Sequence, residues 1–110
     1  MAYQHKNQAM GEWVVHSLLF QLANIGSEVI RALKWRAKNR EQIANNAFER
    51  SLELFDLTIA DKKNLGRLKE ICRAREAWAD FFTGNNEYNS TAEQWEKYFL
   101  AFNYVANNKV

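Results

Sequence analysis

Proline is absent from the 110-residue chain, and glycine occurs only four times. Because proline and glycine interrupt regular helices, their scarcity permits long helical segments. No alternating run of Val, Ile and Thr is long enough for a sheet, whereas Leu, Ala, Glu, Lys and Asn are abundant. A chain of this length makes one domain with a modest core. The composition therefore predicts a single all-α domain spanning residues 1–110.

Cysteine is also scarce, since Cys72 is the only one in the sequence. A single cysteine excludes an intrachain disulfide and is typical of a reducing compartment. Cys72 falls on an apolar helical face, which predicts a small buried side chain. The first ten residues lack the apolar core of a signal peptide, and no apolar run approaches the length of a membrane span. The expectation is a cytoplasmic protein without membrane contact.

Histidine occurs only as His5 and His16, which are too isolated for a metal site or a catalytic triad. Glu76 and Asp80, one helical turn apart, could hold Mg²⁺ between helices, as in all-α nucleotide pyrophosphohydrolases. With Arg73 beside Asp80, a solvated face with intrahelical ion pairs accounts for the same residues. A metal-dependent nucleotide hydrolase is therefore only an alternative. The sequence predicts no catalytic residues, no metal and no cofactor.

Hydrophobic periodicity predicts four helices, at about residues 12–38, 40–60, 64–83 and 91–106. Residues 1–10 and 107–110 are expected to fray. Capping-box patterns at residues 39–42 and 90–93 mark the starts of the second and fourth helices. Short connections make neighbouring helices antiparallel, so the predicted architecture is an up-down-up-down four-helix bundle. Gly26, on the apolar face of the first helix, predicts the close approach of another helix.

Arg75 is a charge within the broad apolar arc of the third predicted helix, whose width predicts a central packing role. A guanidinium there must be paired or must reach solvent. Counting a rise of about 1.5 Å per residue from the first turn puts Glu28 at the same height, at the margin of an apolar face. We predict a partly buried Arg75–Glu28 ion pair that fixes helix register. Anion binding by Arg75 is the alternative.

Five cations and one tryptophan cluster around the turn between the first two predicted helices: Arg31, Lys34, Trp35, Arg36, Lys38 and Arg40. Cations beside an aromatic ring can hold phosphate and stack a base. Cations also favour a helix C-terminus, where the macrodipole is negative. The cluster is therefore a candidate anion or nucleic-acid patch, with the loop at residues 84–89 expected at the same end. An accessory protein that binds nucleotide or RNA is one alternative function.

Trp13 and Phe20 lie seven residues apart on the otherwise polar face of the first predicted helix, and Leu100 and Tyr104 lie on the outer side of the fourth. Large apolar side chains aligned on one surface suggest that something covers them. The cover could be the N-terminal tail or a partner. We therefore predict a non-catalytic interaction module that self-associates, as a homodimer or another homo-oligomer, through one of these two sides.

Four stretches resemble a family of small prokaryotic all-helical proteins of uncharacterised function: NIGSEVIRALKW, AFERSLELFDLTIAD, RLKEICRAREAWADFF and NEYNSTAEQWEKYFLAF. The resemblance covers about residues 24–106. More loosely, the architecture is similar to the four-helix bundles of the HEPN and nucleotidyltransferase substrate-binding group, which act as RNA-cleaving toxins or as companions of small nucleotidyltransferases. That likeness implies a nucleotidyltransferase-like partner. It does not imply RNA cleavage, because no histidine follows Arg73 or Arg75 as the HEPN motif requires.

Overall fold

The computed structural model describes the backbone of residues 6–108 and the side chains of residues 9–102. Its helices are α1 (Lys6–Trp13), α2 (Leu18–Ala37), α3 (Glu41–Ala60), α4 (Leu68–Thr83) and α5 (Ala92–Asn108). A 3-10 segment, Lys62–Arg67, joins α3 to α4. The prediction of an all-α fold is confirmed, since residues 6–108 contain no strand. None of these helices is both long and apolar enough to cross a membrane.

The first predicted helix is in fact two helices separated by a break at residues 14–17. Ser17 caps α2, its Oγ accepting a hydrogen bond from the backbone N–H of Phe20 at 3.2 Å. Val14 and Val15, two β-branched residues with low helix propensity, occupy the break. Residues 6–10, predicted to fray, belong to α1, whereas residues 1–5 and 109–110 lie outside the described part of the chain. The break turns α1 back onto α3.

Both predicted N-caps lie one residue too early in the chain. Asn39 does not cap α3; its φ of 59° is left-handed, a conformation that asparagine tolerates, and it lets the chain reverse after α2. Arg40 stands at the start of α3 without a side-chain capping bond. The capping box of α5 is formed by Thr91 and Gln94, each side chain accepting from the other's backbone N–H at 3.2 and 3.0 Å.

Helix α2 is the central element, because it packs against α3 on one side and α5 on the other. Gly26 marks the closest approach to α5: a Cβ built there would lie 2.7 Å from the Cβ of Phe99. The predicted role of Gly26 is therefore confirmed. The core between these helices contains Ile25, Val29 and Phe55, all fully buried. Replacing glycine here would force the two helices apart.

Helix α4 lies at the periphery of this core, contrary to its predicted central role. It packs chiefly on α3, and its buried residues are Ile71, Trp78 and Phe82. Phe82 stacks on Phe48 with ring centroids 4.5 Å apart, and the Trp78 indole N–H donates to Ser51 Oγ at 2.9 Å. The predicted burial of Cys72 is wrong, since its side chain is exposed.

The predicted ion pair between Arg75 and Glu28 is also wrong. Arg75 Nε donates to Asp56 Oδ1 at 2.7 Å, and Glu28 instead pairs with Arg31 at 3.2 Å. Equal height along the bundle is not sufficient for contact, because α4 packs chiefly on α3. The Arg75 side chain is one-third exposed, so the pair is a partly solvated link between α4 and α3.

A buried polar network ties the break after α1 to the 3-10 segment. Its four buried members, none more than 4% exposed, are Gln21, Thr58, Asp61 and Asn64. The side-chain amide of Gln21 donates to the Trp13 carbonyl at 3.0 Å and to Asp61 Oδ2 at 2.9 Å. Asn64 donates to Gln21 Oε1 and to the Thr58 carbonyl. Every side chain in the network has a partner, as burial requires.

Asp61 is the charged member of this network, and the burial of its charge must be offset by contacts with its neighbours. Burial alone raises the pKa of its carboxyl group. The opposing contacts prevail and hold that pKa below its usual value: hydrogen bonds from the Lys63 ammonium, the Gln21 amide and the Lys63 backbone N–H, and the charge of Lys63. Lys63 also donates to the Val14 carbonyl at 3.2 Å. The pair therefore fastens the break at residues 14–17 to the end of α3.

Candidate ligand-binding groove

An open groove of about 410 Å³ runs between α4 and α5. The two backbones make few close contacts, and the side chains of Trp78 and Trp95 bridge the gap with ring centroids 5.5 Å apart. The walls are mostly apolar and come from Ala74, Ala77, Trp95 and Tyr98, with Glu70 and Arg73 toward the N-terminus of α4 and Tyr88 toward its C-terminus. The groove exists because α4 packs on α3 and leaves α5 partly uncovered.

Trp95 lines the groove and carries a buried polar atom that is unpaired within the described part of the chain. The side chain is 7% exposed, and its indole Nε1 is buried without a hydrogen-bond partner among the described residues. By contrast, the indole N–H groups of Trp13 and Trp78 donate to Thr58 and Ser51. A buried N–H left unpaired costs about 1–3 kcal/mol, so native proteins rarely keep one without a reason.

Two tyrosines supply hydroxyl groups to the groove. Tyr98 packs edge-on against Trp95, and its burial, then the charge of Glu70, raise the pKa of its phenol. Tyr88 comes from the loop before α5, and the charge of Glu76, with which its hydroxyl is hydrogen-bonded, raises its pKa. Both phenols therefore stay protonated at neutral pH and remain hydrogen-bond donors.

The loop at residues 84–90 holds Tyr88 against α4. Asp80 Oδ2 accepts from the Tyr88 backbone N–H at 3.2 Å. The Asn86 side chain closes the loop by donating to the Ser90 carbonyl at 3.0 Å and accepting from its N–H at 2.9 Å. The carboxylates of Glu76 and Asp80, candidates for Mg²⁺ in the sequence, thus hold this loop. No three His, Cys, Asp or Glu side chains come together as a metal site within the described residues.

At the basic end, two of the predicted anion-binding residues are engaged inside the protein. Arg31 pairs with Glu28 at 3.2 Å. Arg36 donates to the Phe82 carbonyl at 3.0 Å and lies 4.4 Å from the centre of the Phe82 ring, so it closes the C-terminus of α4. The contacts of Arg36 link the ends of α2 and α4. Both guanidinium groups thus have partners inside the protein, and neither needs a ligand.

The remaining members of the basic cluster gather around Trp35. The ammonium groups of Lys34 and Lys38 lie 5.6 and 5.2 Å from the centre of its ring, and Arg40 is exposed at the start of α3. Trp35 itself packs on the core. Each ammonium group is attracted to the electron-rich face of the ring, so these contacts compete with the stacking of a base on Trp35. The patch stays a prediction, reduced to Lys34, Trp35, Lys38 and Arg40.

The predicted self-association surface is divided by the break after α1. Trp13 is not part of it, because its indole N–H donates to Thr58 Oγ1 at 2.9 Å and its ring packs on the core. Because the helix is interrupted between Trp13 and Phe20, their seven-residue spacing does not place them on one helical face. Phe20 stays 43% exposed and stacks on His16, and Leu100 is 50% exposed. The side chain of Tyr104 lies outside the described residues.

The sequence interpretation missed the groove, although one feature pointed to it. Tyr98 falls on the same helical stripe as Trp95 and Phe99, yet it is 37% exposed, whereas those two are buried. A tyrosine on an otherwise apolar stripe is typical of a position where the hydroxyl edge of the ring reaches solvent. Across from it, Ala74 and Ala77 are small residues three apart on α4, and they leave space where larger side chains would fill it.

No family model, curated protein or solved structure matches this chain. The resemblances of residues 24–106 to the small prokaryotic helical family and to the HEPN group therefore stay predictions. The case for any function rests on the groove and on the surfaces described above.

Proposed function

We propose that this chain is a non-catalytic binding module whose site is the groove between α4 and α5. The observation that carries the proposal is an open apolar groove lined by Trp95, whose buried indole N–H has no partner among the described residues. Small-ligand sites are concave and mostly apolar, with a few polar groups that orient the ligand. A volume of about 410 Å³ falls within the range of such sites.

The groove offers a ligand both burial and directed hydrogen bonds. The faces of Trp95 and Tyr98 and the methyl groups of Ala74 and Ala77 favour a flat apolar body. A ligand acceptor that reaches the Trp95 N–H would remove the cost of leaving that group unpaired. No histidine or cysteine lines the groove among the described residues, so the proposal gives it a binding role and no chemical step.

The arrangement of helices supports a rigid scaffold for this site. Successive contacts of Phe48 with Phe82 and of Asp56 with Arg75 run in opposite chain directions, as antiparallel packing of α3 and α4 requires. An up-down-up-down bundle, preceded by α1, is the architecture that we propose for the chain. A companion protein without catalytic residues, as the HEPN-like resemblance implies, is compatible with this role.

A neutral aromatic probe tests the groove. We expect 2-naphthylmethanol, titrated by calorimetry, to bind the wild-type protein, and Ala77→Leu to weaken binding about tenfold because leucine fills the space beside Trp95. Ala37→Leu, at the exposed last residue of α2, is the matched control and should bind as the wild type does. Equal binding by both variants, with both still folded, would place the probe elsewhere and contradict the proposal.

Self-association is a second candidate function, favoured by the exposure of Leu100 on α5 and of Phe20 on α2. We expect the protein to dimerise in sedimentation equilibrium, and Leu100→Glu to weaken the dimer at least about tenfold because a charge would enter an apolar contact. Leu65→Glu is the matched control, since Leu65 is 66% exposed on the 3-10 segment. A wild-type protein that stays monomeric at millimolar concentration would rule this function out.

A further inference from the structure

The groove continues into a second hollow of different character at the N-terminal end of α4. This hollow has a volume of about 360 Å³ and is lined by Gly66, Arg67, Lys69, Glu70 and Arg73. Glu70 and Arg73 also line the apolar groove, so the two spaces share a wall. Three cations face one carboxylate in the hollow, which leaves it with an excess of positive charge.

Two of these cations have no carboxylate of their own. Arg67 pairs with Glu70, its Nη2 lying 2.9 Å from Oε2 and its Nε donating to the same oxygen at 3.0 Å. That pair neutralises the only acid in the hollow. Neither Lys69 nor Arg73 forms an ion pair with another described residue. An anionic group entering beside Glu70 would therefore meet two uncompensated positive charges.

Toward the C-terminus of α4 the groove ends at Tyr88, whose phenol feels the charges of two carboxylates and, more weakly, that of Arg73. Tyr88 stands there with the carboxylates of Glu76 and Asp80 close behind it, since Glu76 is hydrogen-bonded to its hydroxyl and Asp80 to its backbone N–H. A long polyanion such as RNA would have to pass these carboxylates. A compact ligand with negative charge at one end only avoids them, so the charge pattern favours a small molecule over a nucleic acid.

We infer that the groove binds a small aromatic anion, with its flat ring between Ala74, Ala77 and Tyr98 and its anionic group beside Arg73 and Lys69. The inference rests on the proposed function and adds the class of ligand. A carboxylate and a phosphate monoester share this chemistry. Both would accept hydrogen bonds from the Arg73 guanidinium, and the neutral phenol of Tyr98 presents a further donor rather than a repelling charge.

Three probes with the same naphthalene ring test the inference: 2-naphthylmethanol, 2-naphthoate and 2-naphthyl phosphate. At low salt we expect at least one anion to bind about tenfold more tightly than the alcohol, and the more tightly bound anion identifies the preferred head group. Arg73→Gln should abolish this preference, so that the anions and the alcohol bind with similar affinity. Arg50→Gln, which removes an exposed arginine of α3, is the matched control and should keep the preference.

The outcomes separate this inference from the proposed function. If the alcohol binds and neither anion is preferred, or if the preference persists in Arg73→Gln, the groove binds ligands but not by charge, and the inference is overturned. If none of the three probes binds, the proposed function fails together with it. Binding of all three probes, with an anion preferred in the wild type and in Arg50→Gln but not in Arg73→Gln, supports both.

Discussion

Replacing Gly26 with valine is expected to lower the free energy of unfolding by about 3 kcal/mol. Even one added carbon at this position would lie 2.7 Å from the Cβ of Phe99 and 2.9 Å from its Cδ1. Because a Cβ is fixed to the backbone, Phe99 cannot rotate it out of the way, and α5 must move away from α2. Valine adds two further methyl groups at the same place. Urea denaturation followed by circular dichroism measures the loss.

The control for this prediction uses another helical glycine. In a helix interior alanine is favoured over glycine by up to about 1 kcal/mol. A Cβ at Gly11, within α1, would meet nothing within 4 Å, so Gly11→Ala should be neutral or slightly stabilising. Gly26→Ala gains the same propensity but meets Phe99, and we expect a net loss of about 1 kcal/mol. If the two alanine variants are equally stable, the close packing of α2 on α5 is wrong.

Asp61→Ala is expected to lower the free energy of unfolding by about 3 kcal/mol at neutral pH, which is the second large effect. The carboxylate accepts from the Gln21 amide at 2.9 Å and from the Lys63 backbone N–H at 3.1 Å, and it pairs with the Lys63 ammonium. Alanine removes the acceptor of one buried proton of the Gln21 amide and of the Lys63 backbone N–H, together with the ion pair to Lys63. Asp56→Ala is the control, because Asp56 is half exposed where it pairs with Arg75 and an exposed pair contributes about 1 kcal/mol or less. If Asp61→Ala and Asp56→Ala lower the free energy of unfolding equally, the buried network does not stabilise the fold in the way described.

The same residue predicts a pH dependence. A carboxyl group whose pKa is lower in the folded than in the unfolded state stabilises the fold above its unfolded pKa, and this contribution is lost as the pH falls through its folded pKa. The pKa of Asp61 is lowered from 3.8. The difference in unfolding free energy between the wild type and Asp61→Ala should therefore be full above about pH 5 and shrink below about pH 4. A difference that is constant down to about pH 2 would contradict a lowered pKa.

Patterns within single helices were the most predictable part of this fold. The scarcity of proline and glycine predicted helices, and the apolar position of Gly26 predicted a close neighbour, which is α5. Both inferences depend on local periodicity, which the sequence records directly. The exception is the interruption at residues 14–17, where apolar periodicity continues through a break. Ser17 was the available indication, since serine is a preferred N-cap and its hydroxyl accepts from the Phe20 N–H.

Relations between helices were less predictable. Arg75 and Glu28 occupy similar heights, but α4 packs on α3, and Asp56 is the acid that Arg75 reaches. Cys72 lies on the broad apolar arc of α4, yet only part of that arc meets a neighbour, so the thiol is exposed. Gln21 is fully buried although its side chain is polar, and its amide donates to the carbonyl of Trp13 at the end of α1. Which side of a helix is covered depends on packing partners that helical periodicity does not specify.

The groove illustrates the same limit at the candidate site. Glu70 and Arg73 are charged residues of α4, and Trp95 and Tyr98 are aromatic residues of α5, so no local pattern joins them. They come together because α4 and α5 are bridged by Trp78 and Trp95 without close backbone packing. The separation of two helices is a property of the whole fold. The amino-acid types in the groove then determine what it can bind.

The indole N–H resonances of the tryptophans test the central claim most directly. In ¹H–¹⁵N correlation spectra recorded during titration with 2-naphthoate, the Trp95 resonance should shift strongly on binding. The resonances of Trp13 and Trp78, whose N–H groups already donate to Thr58 and Ser51, should stay nearly unchanged. A Trp95 resonance that is unmoved at saturation, or a shift of Trp35 in its place, would contradict a binding site between α4 and α5.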